Sequence, residues 1–68
     1  MTTLAEFETM LKGHDWYFHY SDDPKYYRRG REQSEAISRA IKDLKAQGLT
    51  EEARELYNEI SPSDFTFR

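Results

Sequence analysis

The chain predicts an all-α fold: a compact three-helix domain spanning residues 1–68, with an aromatic-rich connection (residues 14–23) between helices one and two. Three observations predict it. Apolar residues recur at helical spacing in three segments, each opened by a potential capping residue and closed by glycine or proline. The link Gln47-Gly48-Leu49-Thr50 is short, which makes the second and third segments antiparallel neighbours. The β-like sequence is confined to residues 16–20 and to Phe65-Thr66-Phe67, and two lone strands are marginal.

The first helix is expected from Thr3 to Lys12. Thr3 is its N-cap, and Glu6 three residues later completes a capping box. Leu4, Phe7, Met10 and Leu11 form one apolar stripe, and Gly13 suits a left-handed C′ position. The segment His14 to Asp23 has no period, because Trp16-Tyr17-Phe18-His19-Tyr20 is an unbroken run of rings. A helical or irregular connection is expected there. The second helix begins at Pro24, where a missing N–H costs nothing, with Asp22 or Asp23 as cap, and ends at Gly48. Its seam Tyr27, Gly30, Ser34, Ile37, Ile41, Leu44 repeats at heptad-like spacing. The small residues Gly30 and Ser34 leave room for an aromatic folded back from residues 16–20. Ile37, Ile41 and Leu44 are expected against Leu56 and Ile60. The third helix runs from the cap Thr50 to Ile60 with Ala53, Leu56, Tyr57 and Ile60 on its apolar face; Ser61-Pro62 ends it.

A chain of 68 residues buries only about 60% of the surface its unfolded form exposes. It has no cysteine, so no disulfide or thiolate metal site can staple it. Dense ring packing is one remedy, and homodimerisation is another that the sequence leaves open. Net charge is −3, which opposes general attraction to nucleic acid, although residues 25–31 carry Lys25, Arg28, Arg29 and Arg31. No apolar run approaches the roughly 20 residues of a membrane span. The amino terminus lacks the pattern of a secretory signal, so a cytoplasmic location is expected.

Function is less legible. There is no Ser/His/Asp order and no glycine-rich phosphate loop, so neither an enzyme nor a cofactor is expected. His14, Asp15, His19, Asp22 and Asp23 gather potential metal ligands in ten residues. Their spacing fits no compact metal motif, and capping accounts for the aspartates, so no metal is expected. Glu51, Glu52, Glu55 and Glu59 are expected to form a solvated helix face. Lys25-Tyr26-Tyr27-Arg28-Arg29-Gly30-Arg31 interleaves rings and cations, as single-strand binding surfaces do. Helical spacing places Tyr27 in the seam, and Arg28–Glu32 and Arg31–Glu35 can pair along the surface.

Six of the ten Phe, Trp and Tyr residues, and with His19 seven rings, lie between Trp16 and Tyr27. Three short helices cannot enclose them all. An exposed ring, Trp16, Tyr26 or one of the neighbouring tyrosines, beside Lys25, Arg28 and Arg29, with His14 and Asp15 at its rim, is therefore the expected contact surface. A protein partner is the first reading. A small nucleic-acid-binding module using residues 25–31 is the second.

The string His14-Asp15-Trp16-Tyr17-x-x-Tyr20-Ser21-Asp22-Asp23, followed by Gly30, resembles a segment of short bacteriophage and prophage proteins of uncharacterised function. The match covers about a quarter of the chain and brings no catalytic residues with it. The resemblance implies a small accessory protein acting on a host protein in the host cytoplasm.

Overall fold

A computed structural model describes residues 1–67. Three helices, α1 (Leu4–Gly13), α2 (Pro24–Ala46) and α3 (Thr50–Ile60), pack pairwise, and a 3₁₀ turn at Phe18–Tyr20 docks on α2. No strand forms among the described residues. The 23 residues of α2 rise roughly 35 Å at helical pitch, so this helix sets the 38 Å long axis of the molecule.

Local chemistry explains most of the boundaries. Thr3 Oγ1 accepts the Glu6 N–H at 3.1 Å, and Glu6 Oε1 accepts the Thr3 N–H at 3.1 Å, so the capping box closes. Asp23 Oδ1 caps α2 by accepting the Lys25 N–H at 3.0 Å, ahead of Pro24 at N1. Gly48, with φ at +81°, ends α2. Its N–H reaches the Lys45 carbonyl at 3.0 Å while the Leu49 N–H reaches Leu44 at 2.9 Å. That pair of bonds is a Schellman motif, and its left-handed residue favours glycine.

Two caps differ from the sequence expectation. Gly13 is the last residue of α1 rather than a left-handed C′ residue, and His14 follows it in extended conformation. His14 is nine-tenths buried, so the chain turns inward there instead of reversing over a glycine. Thr50 is the first helical residue of α3, not its cap. The Schellman motif holds Leu49 against the core, and α3 starts directly from it without a side-chain cap.

Phe7, Leu11, Ile37, Ala40, Leu44, Ala53 and Tyr57 form the core, which all three helices share. The buried stripe of α2 is rotated from the expected seam. Ala40 is buried, whereas Ile41 is half-buried and Tyr27 is exposed. The cause is a second neighbour: Met10 and Gly13 of α1 face Gln33, Ala36 and Ile37, so α2 presents a broader face than a two-helix seam needs. Leu56 and Ile60 pack at the edge of the core, also half-buried. Ile41→Ala therefore loses only part of a full burial. Its expected cost is about 1 kcal/mol, below the ~2–5 of a sealed site, and a urea melt measures the difference.

The amino-terminal strap is tied to the far end of α2. The Thr2 N–H donates to Asp43 Oδ2 at 2.5 Å, and Gln47 Nε2 donates to the Thr2 carbonyl at 2.8 Å. The Thr2 backbone bond, with help from the Thr2 hydroxyl and Gln47, holds the Asp43 carboxyl below its ordinary value. A depressed folded value stabilises the fold at pH values above the unfolded one, about 3.9, and that stabilisation is lost as pH falls through the folded value. Asp43→Asn is expected to melt below the wild type at pH 7. The gap should close as pH drops below about 4. Parallel melting curves across that range check it.

Candidate functional site

The aromatic segment folds back on α2 around one glycine. Phe18 lies directly on Gly30, which is buried; a β-carbon built there would overlap the Phe18 Cβ and Cγ. Around this contact the rings divide into an inner and an outer set.

The inner set is centred on Trp16. Its ring meets Tyr57 at 5.6 Å, Phe65 at 5.1 Å and His14 at 4.8 Å, each edge-on. Such pairs add about 0.5–1.5 kcal/mol each beyond area burial. His14 is pinned by a 3.2 Å hydrogen bond between Nδ1 and Gln33 Oε1. The tail contributes Phe65 and Phe67, the latter against Tyr57 at 5.6 Å with Lys45 and Arg54 over its face. Phe65 thus meets residues 16 and 17 through its ring, and residues 65–67 form no strand ladder.

The outer set is a continuous chain of ring contacts. Tyr17 stacks on Tyr20 at 6.2 Å, Tyr20 leans on His19 at 4.2 Å, and His19 meets Phe18 at 5.6 Å and Phe18 meets Tyr27 at 5.4 Å edge-on. The 3₁₀ turn produces this order, because residues three apart eclipse one another in that geometry, which sets Tyr20 over Tyr17. Tyr20 is 76% exposed, Tyr17 45% and Tyr27 40%. Tyr17 also donates its hydroxyl to Asp64 Oδ1 at 3.2 Å. Partial burial, this hydrogen bond and the Asp64 charge all hold the Tyr17 phenol above its ordinary value.

The residues expected to form the contact surface are therefore split. His14 is buried and Trp16 half-buried, both within the inner packing. Asp15 accepts the Tyr17 N–H at 3.1 Å and shapes the turn. Lys25, Arg28 and Arg29 are exposed, and Tyr26 is half-buried with the Arg29 guanidinium 5.5 Å above its ring. Arg31 pairs with Glu35 at 3.4 Å, while the Arg28–Glu32 pair does not form among the described residues. Tyr27, Arg28 and Arg31 meet Ser21, Asp22, Asp23 and Pro24 around an open depression of about 330 Å³. Among the described residues no three His, Asp or Glu side chains converge as a metal site would require. No described helix is long and apolar enough to cross a membrane.

The exposed rings are the neighbouring tyrosines Tyr17, Tyr20 and Tyr27, rather than Trp16 or Tyr26. The available signal was the i, i+3 spacing of Tyr17 and Tyr20, which only a 3₁₀ turn converts into a stack. Comparison of the chain with family models, curated proteins and solved structures finds no match.

Proposed function

We propose that the chain is a non-enzymatic protein-interaction module whose contact surface is the outer ring chain, Tyr17, Tyr20 and Tyr27, with Arg28 at its edge. The observation that carries this reading is Tyr20. It is three-quarters exposed, yet it is held in place by rings on both sides, at 6.2 Å and 4.2 Å. A rigid exposed tyrosine loses little entropy on binding and offers a large contact area, the property that enriches tyrosine at hot spots. The resemblance to bacteriophage and prophage proteins makes a host protein, met in the host cytoplasm, the partner of this reading.

Two features weigh against the nucleic-acid alternative. Net charge is −3. Tyr26, the ring inside the basic stretch, has a face covered by Arg29. Titration with single-stranded and duplex oligonucleotides at low and physiological salt separates the two readings. The expected result is no salt-sensitive binding; micromolar binding abolished by Arg28→Glu would replace the protein reading with the nucleic-acid one. For the positive arm, a photo-crosslinking residue at position 20 is compared with one at Glu55 in host lysate. A discrete adduct at position 20 alone, lost in Tyr17→Ala, is expected. Equal labelling from both positions would refute the assigned surface.

A further inference from the structure

A second concavity lies on the inner side of the ring cluster, separate from Tyr20 and Tyr27. It is a groove of about 370 Å³ between α2, the aromatic segment and the tail. That volume lies above the ~300 Å³ at which small-molecule sites begin. Its walls are rings and branched aliphatics, chiefly Trp16, Phe18, Phe65, Ile37 and Ile41. Such a slot suits a flat apolar group.

The polar groups at the groove are His14, Ser34, Ser38, Tyr57, Asp64 and Thr66. Ser34 and Ser38 stand one turn apart on α2, and neither hydroxyl is hydrogen-bonded among the described residues. Across from them the tail supplies Asp64, whose Oδ1 already accepts from Tyr17. Among the described lining residues Asp64 is the one acid, and no Lys or Arg lines the groove. The Asp64 carboxylate favours a positive charge there and disfavours a negative one.

We propose that this groove binds an organic cation, a small flat apolar ring carrying an ammonium group. The ring lies among Trp16, Phe65 and Ile41. The ammonium donates to the Asp64 carboxylate, with the Ser34 and Ser38 hydroxyls as further acceptors. The site adjoins the tyrosine surface at Tyr17, which is bonded to Asp64 and packed on Phe65, but neither reading needs the other.

Phenethylamine is the probe, with phenylacetate as the same ring bearing the opposite charge and ethylamine as the charge without the ring. Trp16 is the one tryptophan of the chain, so its fluorescence and its indole N–H resonance report on the groove directly. Saturable, millimolar binding of phenethylamine is expected, roughly tenfold tighter than phenylacetate, with no saturation by ethylamine. Asp64→Asn is expected to bring the two ring compounds within about twofold of each other. Tyr17→Phe, which removes the hydroxyl bonded to Asp64 but leaves the carboxylate, is expected to keep the preference for the amine. Ser38 is exposed, so Ser38→Phe fills the groove from outside without touching the core, and it should abolish binding with the circular dichroism spectrum unchanged. Equal binding of phenethylamine and phenylacetate, binding that survives Ser38→Phe, or no saturable response of Trp16 would each overturn the proposal.

Discussion

Gly30→Leu is expected to unfold the domain at room temperature, and Gly30→Ala to destabilise it despite the better helix former. The reason is where the new carbon lands. It would overlap the Phe18 Cβ and Cγ, with Cδ2 at 2.8 Å. These are atoms near the backbone and not the free end of a flexible chain, so the 3₁₀ turn itself would have to move. Alanine gains about 1 kcal/mol of helix propensity over glycine. Overpacking costs typically ~1–3 kcal/mol, so a net loss of about 1 kcal/mol is expected for alanine. Leucine adds three more carbons to the same contact, and the loss approaches the whole stability of a domain this small, of the order of 3–10 kcal/mol. Chemical denaturation followed by circular dichroism measures both. Should either variant melt above the wild type, Phe18 does not rest on Gly30. Loss of this contact should also disperse the outer ring chain, since Phe18 joins Tyr27 to His19.

The second large effect is expected in the core. Phe7 and Leu44 are fully buried, on α1 and α2, and both belong to the cluster that all three helices share. Phe7→Ala should cost ~3–5 kcal/mol and Leu44→Ala ~2–5 kcal/mol, transfer and cavity contributions together. Either change removes a large part of the total stability. The comparison with Ile41→Ala is the informative one, because the sequence seam treats Ile41 and Leu44 as equivalent whereas the fold buries only Leu44 completely. Equal losses at the two positions would mean that α2 is turned to bury Ile41 as fully as Leu44.

Much of the fold was legible because it is written in local chemistry. Thr3 with Glu6, Asp23 with Pro24, and Gly48 each mark a helix end through bonds spanning only a few residues, and the apolar spacing of α1 and α3 names their buried faces. Gly30 was partly legible, since an unfavourable residue within a helix points to a close-packed ring or a local kink, and Phe18 is that ring. The candidate contact surface was not legible in the same way. Trp16 and His14, expected outside, are drawn in by Tyr57, Phe65 and Gln33, all distant in sequence. Tyr17, Tyr20 and Tyr27 are left outside instead.

The sequence by itself therefore determined the number and order of the helices and most of their caps, and marked Gly30 as a place for a close-packed ring or a kink. These depend on periodicity and on hydrogen bonds between near neighbours. Only the tertiary structure decided which rings are buried, which way α2 is turned, and that the tail closes one side of a groove. Those outcomes depend on three elements competing for the same face of α2, and the winner is set by the fit among residues as far apart as Tyr17 and Asp64, which no local pattern contains.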